Sequence, residues 1–216
     1  MAIIKHKSQR VGIFIDTQNL YHSAKNLYRA KVNFGAVVKE ALAGRQLIRA
    51  VAYVIRTESE DEKSFFEALN KTGIETKVKD IRIFAGGAKK ADWDIGMAID
   101  AIAMANKLDT VILATGDGDF VPVVEYLKYT EGCQVEVIAF GKSSAGVLRD
   151  AADDFIDMCD NPQDYLINYR GGGGRFGIPS FAGKKGAAPA DEVDEVADSG
   201  ADEVDPAINM SGEPEK

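Results

Sequence analysis

The sequence predicts an α/β domain with a mostly parallel central sheet. Short runs that are apolar on both faces occur at residues 11–15, 50–55, 111–114 and 135–140, and such runs are typical of strands buried in a parallel sheet. Segments in which apolar residues recur at helical spacing lie between them. Because strand and helix alternate along the chain, we expect parallel strands joined by right-handed crossovers.

The run at residues 11–15 ends at Asp16 and is the expected central strand. A weaker strand is expected at residues 77–84, where polar and apolar residues alternate more. Ser59 and Glu62 form a capping box for a helix.

Gly73 stands where that helix needs a left-handed residue at its end. Two further helices are predicted at residues 95–107 and 121–129. The apolar face of the first is expected to consist of Ile95, Ala98, Ile99 and Ile102.

Composition and charge exclude several classes of protein. The 216 residues carry 26 basic and 34 acidic side chains, a net charge of −8, and only two cysteines, Cys133 and Cys159. A disulfide scaffold is therefore excluded, and a reducing cytoplasmic location is expected. No apolar run approaches the ~18 residues of a membrane span, and the first residues lack the pattern of a secretory signal.

The chain is expected to divide into four parts. Residues 1–10 form an N-terminal extension, residues 11–160 the folded domain, and residues 161–170 a connecting segment. Residues 171–216 begin with four glycines and continue with ten acidic side chains and few large apolar ones, a composition typical of disorder. This tail is either a solubilising extension or, less simply, a mimic of nucleic acid that inhibits the domain.

Acidic residues follow the predicted strands at the positions where open parallel sheets bind ligands. Asp16 ends the first strand, and Asp117 and Asp119 follow the strand at 111–114 within TGDGDF. Asp92 and Asp94 stand at the start of the predicted helix that precedes the strand at 111–114. Ligands of such sheets bind beyond the carboxyl ends of the strands, near the point where strand order reverses. We therefore expect these carboxylates to meet at one crevice.

A cluster of like charges requires a counterion. Two carboxylates about 4 Å apart repel by roughly 4 kcal/mol at an effective dielectric constant near 20. Oxygen ligands without His or Cys suit hard cations, so Mg²⁺ or Mn²⁺ is the expected cofactor. Such an ion activates water and neutralises charge on phosphorus oxygens. The pattern therefore indicates hydrolysis of a phosphodiester.

Each acidic residue also has a purely structural interpretation. Asp16 is a suitable N-cap for a helix that starts near Asn19. Asp117 and Asp119 flank a glycine, as in an ordinary turn. Asp92 and Asp94 are suited to stabilise a helix N-terminus through its dipole. Asp100 lies six positions after Asp94 and does not share its helix face, so its expected role is supporting at most.

Other polar residues receive weaker predictions. Asn19 and Thr115 are candidates to hydrogen-bond water on a metal, or to stabilise a turn. Lys89 and Lys90 are candidates to contact a phosphate backbone, or are ordinary solvated lysines. Trp93 stacks on a base or, more simply, packs against the sheet.

Three sequence blocks carry a resemblance to a known family. VGIFIDTQNL, KKADWDIGMAIDAI and ILATGDGDFVPVVEYLK, in this order, resemble the NYN domain. They are most similar to its LabA-like branch within the PIN-like nuclease superfamily. The similarity extends over about residues 9–160, and the D-x-x-N pair and the TGDGDF element are its most specific parts.

The resemblance implies a PIN-like Rossmannoid three-layer sandwich and a metal-dependent ribonuclease. The acidic positions of the family fall on Asp16, Asp94, Asp117 and Asp119, with Asn19 as the polar companion. Thr115 keeps the hydroxyl of the Ser found in many relatives, and Asp92 and Asp100 also fall within the matched blocks.

Many LabA-like proteins carry a further C-terminal domain where this chain has its Gly-rich and acidic tail, so a role that depends on that domain is not implied. The expected partner is RNA, and a homo-oligomer is possible. A non-catalytic RNA-binding or regulatory module of the same fold is the alternative function.

Overall fold

The computed structural model describes residues 3–56, 62–80, 82–83, 89–90 and 92–169. The strands are β1 (Arg10–Asp16), β2 (Lys31–Val32), β3 (Gln46–Arg56), β4 (Glu75–Asp80), β5 (Arg82–Ile83), β6 (Lys89–Lys90), β7 (Thr110–Ala114), β8 (Gln134–Ala139), β9 (Asp154–Asp157) and β10 (Leu166–Ile167). The helices are α1 (Thr17–Tyr28), α2 (Phe34–Leu42), α3 (Glu62–Lys71), α4 (Asp94–Met104), α5 (Val121–Tyr129), α6 (Gly146–Ala151) and α7 (Pro162–Tyr165).

Six strands form one parallel sheet in the order β4-β3-β1-β7-β8-β9. Helices flank this sheet, so the predicted fold class is confirmed. Chain order runs outward in one direction from β1 through β3 to β4, and in the other from β7 to β9. The order therefore reverses between β1 and β7, which is where a sheet of this kind opens a crevice for ligands.

Strand β1 occupies the centre of the core because both of its faces are apolar. Val11, Ile13, Phe14 and Ile15 are fully buried, as is the whole of β7 beside it. Parallel pairing sets the register of the strands, with Ile15 opposite Ala114 on one side. On the other side, Asp16 pairs with Tyr53 of β3. The carboxyl ends of these three strands consequently lie side by side.

A buried ion pair joins β8 to the turn that precedes β3. The Arg45 guanidinium donates to both carboxylate oxygens of Glu136, at 2.5 and 2.9 Å, and both side chains are fully buried. Lys5 reaches the same carboxylate at 3.1 Å and also contacts Asp154 of β9. The predicted N-terminal extension, residues 1–10, thus contributes contacts to the fold.

Several predicted elements differ from the structure. The strand expected at 77–84 is divided into β4 and the short β5, which pairs antiparallel with β6. Strand β9 was not predicted, because its sequence DFID has no continuous apolar run. The left-handed backbone at Gly73 is confirmed by its φ of 74°, whereas Ser59 and the side chain of Glu62 lie outside the described residues.

The expected apolar face of α4 was wrong in part. Ile95 and Ile99 are 73% and 59% exposed, while Met97 and Ala101 are buried. Ala98 and Ile102 pack partly against the core, as expected. The sequence of this helix is apolar around most of its circumference, so spacing alone does not identify the face that packs on the sheet.

The predicted connecting segment, residues 161–170, packs on the domain as far as it is described. Its strand β10 pairs antiparallel with β2, and Tyr165 and Leu166 are buried. The tail at 171–216 lies outside the described residues. Among those that are described, no helix has the length and apolar character needed to cross a membrane.

Replacing Glu136 with Gln should destabilise the protein strongly, because it leaves the Arg45 guanidinium buried without its counter-charge. Breaking a buried pair typically costs about 3–5 kcal/mol of unfolding free energy. Glu75→Gln is the matched control, because Glu75 forms an exposed pair with Arg49 on β3 worth at most about 1 kcal/mol. Urea denaturation measures both; equal losses would show that the buried pair has no special role.

Candidate functional site

The end of β1 is tied to the loop after β7 by the D-x-x-N pair. Asp16 is the N-cap of α1, and its Oδ1 accepts the Asn19 N–H at 3.0 Å, so the structural interpretation of this residue is confirmed. Its Oδ2 accepts the Thr115 hydroxyl at 3.3 Å. The Asn19 side-chain oxygen accepts the Gly116 N–H at 2.9 Å. These bonds fix the Asp16 carboxylate beside the TGDGDF loop.

The TGDGDF loop turns tightly after β7. Asp117 caps a 3₁₀ turn, Gly118–Phe120, and its Oδ1 accepts the Asp119 N–H at 3.0 Å, as an ordinary turn would. The Asp117 N–H in turn donates to the Thr115 hydroxyl at 3.3 Å. A Cβ at Gly116 would lie only 2.6 Å from the Ser144 hydroxyl oxygen. The loop therefore requires glycine at this position to fit against the segment after β8.

Helix α4 supplies the third acidic element. Asp94 stands in its first turn, and Trp93 precedes it. The Trp93 indole N–H donates to the Val54 carbonyl at 3.0 Å, and the ring lies edge-on against Tyr53. A Cβ at Gly96 would lie 2.6 Å from the indole ring. Trp93 thus packs against the sheet, as the simpler interpretation held, and anchors the start of α4.

These three elements enclose a cleft of about 210 Å³ at the carboxyl end of the sheet. The described residues that line it include four aspartates and neither lysine nor arginine. We call it the acidic cleft; its lining consists of Asp16, Gln18, Asn19, Tyr53, Asp92, Trp93, Asp94 and Asp117. A cleft with this lining attracts cations.

The carboxylates of the acidic cleft interact electrostatically. Burial raises the pKa of Asp16 above its usual range, although hydrogen bonds from Asn19 and Thr115 oppose this effect. Burial also raises the pKa of Asp94, and the neighbouring negative charges of Asp16 and Asp117, followed by those of Asp92 and Asp119, raise it further. Repulsion between like charges is therefore concentrated in the acidic cleft.

The donor atoms fit a hard divalent cation. Within the described part of the chain, no three His, Cys, Asp or Glu side chains stand close enough to form a ready metal-binding group. Mg²⁺ is usually held by only one or two carboxylates together with water. Among the cleft carboxylates, Asp16, Asp94 and Asp117 come from three different elements, and one or two of them together with water could hold such an ion.

Two of the predicted acids lie outside the cleft lining. Asp119 is exposed beside the cleft, close enough for its charge to raise the pKa of Asp94. Asp100 faces β3 and β4, where its carboxylate accepts the Tyr53 hydroxyl at 2.6 Å and the Lys77 ammonium at 2.5 Å. Asp100 therefore reaches the cleft only through Tyr53.

Sequence analysis missed two residues of the cleft, Gln18 and Tyr53. Tyr53 lies within an apolar run, so its sequence context predicts a buried strand residue and not a cleft residue. Its position opposite Asp16 in the strand register brings it to the cleft. Gln18 adjoins the cap of α1. The candidate RNA-binding residues Lys89 and Lys90 belong to β6, and their side chains lie outside the described part of the structure.

Asp94→Asn should stabilise the protein when divalent cations are removed with EDTA. Because the pKa of Asp94 is higher in the folded state, its destabilising effect grows as the pH rises through that pKa. We expect the melting temperature at pH 7 to rise by roughly 1–4 °C. The gain should fade below about pH 4, where the carboxyl is protonated in both states.

The control for this prediction is Asp150→Asn, an exposed carboxylate on α6, which should leave the melting temperature nearly unchanged. A lower melting temperature for Asp94→Asn at pH 7 would contradict the prediction. It would show that the favourable interaction of Asp94 with the N-terminus of α4 outweighs the repulsion within the cleft.

Comparison with known proteins agrees with this architecture. The low amplitude and bright protein LabA of Synechococcus elongatus is 27% identical over 165 residues, which cover 71% of this chain and 86% of LabA. A crystal structure of a protein of unknown function from Vibrio parahaemolyticus superposes with a TM-score of 0.69 at 29% identity. The superposition covers 76% of this chain and 100% of the Vibrio chain.

The family match covers the six-stranded sheet and every aspartate of the candidate site. The NYN domain family matches residues 10–159, which run from the first residue of β1 to just beyond β9. NYN domains are in general nucleases. The chain therefore belongs to the NYN domain family.

Proposed function

We propose that this protein is a ribonuclease that hydrolyses RNA phosphodiester bonds at the acidic cleft with the aid of Mg²⁺ or Mn²⁺. The observation that carries the proposal is the convergence of carboxylates from β1, α4 and the TGDGDF loop on one cleft that no lysine or arginine among the described residues lines. Membership of a nuclease family supports the same conclusion.

In this proposal Asp16, Asp94 and Asp117 hold the cation. When bound, a divalent ion supplies a more acidic water molecule and neutralises charge that develops on the phosphorus oxygens. Asp119, exposed beside the cleft, is the fourth carboxylate of the proposed catalytic set. Asp92 adds negative charge to the lining and so strengthens the attraction for the cation.

Other residues of the chain hold the carboxylates in place. Two hydrogen bonds tie the start of α1 to the TGDGDF loop, because Asp16 accepts the Thr115 hydroxyl at 3.3 Å and Asn19 accepts the Gly116 N–H at 2.9 Å. Within the loop, the Asp117 N–H donates to the Thr115 hydroxyl at 3.3 Å. Asp100 accepts the Tyr53 hydroxyl and also the Lys77 ammonium, so it holds Tyr53 in place in the cleft lining. This preorganisation keeps like-charged groups close together in the folded protein, so little rearrangement is needed when charge develops during the reaction.

The same carboxylates repel the substrate when no cation is present. A phosphodiester that approaches the acidic cleft meets four aspartates. The proposal therefore requires that activity depend on a divalent cation and that RNA be held by basic residues outside the cleft. Lys89 and Lys90, which precede α4, remain proposed contacts of this kind.

Asp117→Asn should abolish RNA cleavage while RNA binding persists. The amide keeps the size of the side chain and its capacity to cap the 3₁₀ turn but removes a charge needed to hold the cation. We expect kcat to fall at least about 100-fold, the effect of losing a few kcal/mol of transition-state stabilisation. Affinity for RNA in EDTA should be equal or higher, because one repulsive charge is absent.

Cleavage of fluorescently labelled single-stranded RNA in Mn²⁺, with and without EDTA, measures these effects for wild type, Asp117→Asn and the control Asp150→Asn. Cleavage by Asp117→Asn at the wild-type rate would remove Asp117 from the mechanism. Wild-type protein that binds RNA in EDTA but cleaves none in Mn²⁺ would contradict the nuclease proposal and favour a non-catalytic RNA-binding module.

Millimolar Mn²⁺ should raise the melting temperature of the wild-type protein, because an ion that binds only the folded state stabilises it by mass action. The triple variant Asp16→Asn, Asp94→Asn, Asp117→Asn should show no such rise. Thermal scans of both proteins at several Mn²⁺ concentrations make the comparison. An equal rise in the variant would place the binding site elsewhere.

A further inference from the structure

Helix α1 presents a basic and aromatic surface that leads away from the acidic cleft. Gln18, His22, Lys25 and Arg29 follow one another at spacings of four, three and four residues, so they share one face of the helix and its C-cap. Tyr21 adjoins them, and the Lys25 ammonium lies 5.5 Å from the centre of its ring. We call these five residues the α1 surface.

Four of the five residues of the α1 surface are exposed, and none of the five is negatively charged. His22, Lys25 and Arg29 are exposed, and Tyr21 is 40% exposed. The sequence of α1, TQNLYHSAKNLY, contains no acidic residue. The helix therefore contrasts with Asp16 at its N-cap and with the other aspartates of the acidic cleft.

The α1 surface connects two clefts. Gln18 lines the acidic cleft at one end. Arg29 lines a second cleft of about 490 Å³ at the other end, together with Tyr28, Lys31, Asn168 and Tyr169. The 12 residues of α1 span about 18 Å. The second cleft is the larger of the two, and none of the described residues that line it is acidic.

The second cleft has a defined backbone structure. Arg29 ends α1 in the left-handed conformation at φ 54°, and its N–H donates to the Lys25 carbonyl at 3.1 Å. Lys31 pairs with Ile167 between β2 and β10, and Asn168 follows with φ 56°. The two basic side chains therefore project from anchored backbone rather than from a free loop.

Aromatic rings complete the second cleft. The Tyr169 ring lies edge-on to the Tyr28 ring at 5.4 Å, and Tyr28 also contacts Phe140. Tyr169 remains partly exposed. Cationic side chains beside exposed aromatic rings are the combination by which proteins hold single-stranded nucleic acid, with cations on the phosphates and rings against the bases.

We propose that single-stranded RNA lies along the α1 surface, from the acidic cleft to the second cleft. Phosphates of the strand contact Lys25, Arg29 and Lys31, and its bases stack on Tyr21 and Tyr169. The inference rests on the proposed function for the identity of the ligand as RNA. It deepens that function, because it supplies the positive charge that the acidic cleft lacks and places several nucleotides on one side of the bond that is cut.

The test is RNA binding by the full chain in EDTA, where no cleavage occurs. The probe is a fluorescent single-stranded RNA of mixed sequence, and the variant is Lys25→Gln, Arg29→Gln, Lys31→Gln. We expect its affinity to fall at least about tenfold, and the slope of log affinity against log salt to become shallower by about 2, since each phosphate contact on a single strand contributes about 0.7.

The matched control is Lys39→Gln, Lys71→Gln, Lys107→Gln, which removes the same charge from three exposed lysines in last turns of other helices. It should change affinity less than about threefold, the size of a general effect of net charge. Equal losses in both triple variants, or no loss in either, would overturn the inference. Thermal melting verifies that each variant is folded.

Cleavage in Mn²⁺ separates this inference from the proposed function. The Lys25, Arg29, Lys31 variant should raise KM for a long RNA at least about tenfold and leave kcat within about twofold of wild type. A dinucleotide, too short to span the helix, should be cleaved equally by variant and wild type. Wild-type RNA binding that depends on these three residues, without cleavage, would contradict the nuclease proposal and leave the α1 surface established.

Discussion

Parallel pairing of β1 with both β3 and β7 is the constraint on which the rest of the site depends. This pairing brings three carboxyl ends to one edge and makes the strand order reverse between β1 and β7. Asp16 ends one of these strands, and Asp117 follows the other. The apolar side chains of β1 are fully buried. Their packing therefore fixes the position of Asp16, the last residue of the strand.

The acidic residues have local structural roles, and the proposed chemistry uses the same side chains. Asp16 caps α1, Asp117 caps a 3₁₀ turn, and Asp94 occupies a helix N-terminus. Each role is locally favourable, and each holds a carboxylate in a defined orientation. Their combination is unfavourable, since it raises the pKa of Asp94. In the proposed function, a bound cation would offset this repulsion.

The two ends of α1 differ in charge. This difference bears on how a protein of negative net charge could bind RNA. A net charge of −8 disfavours contact with RNA in general. Lys25, Arg29 and Lys31 concentrate positive charge within one helix length of the acidic cleft. In this proposal the RNA would be bound along α1 and cleaved at the acidic cleft. The basic residues would then offset the repulsion between the RNA phosphates and the aspartates.

Much of the fold and part of the site could be predicted from sequence, for physical reasons that differ between residues. Buried parallel strands appear as continuous apolar runs, and strand ends followed by Asp16 and Asp117 are visible directly. Tyr53 was not recognisable, because its role depends on register between strands. The exposed face of α4 at Ile95 was obscured by a sequence that is apolar all round.

Strand β9 and the second cleft were not predicted, because both depend on pairing between strands. Strand β9 has no apolar run of its own and exists because it pairs with β8. The second cleft forms where β10 returns to β2, which joins Lys31 to residues more than 130 positions away. No local pattern records such a contact.

The most direct test of the central claim is anomalous diffraction from crystals grown with Mn²⁺. The account predicts a manganese peak in the acidic cleft, in contact with carboxylate oxygens of at least two of Asp16, Asp94 and Asp117, and no such peak in crystals of the variant in which all three are Asn. A manganese ion bound only at other residues, or an acidic cleft that binds none at saturating concentration, would contradict it.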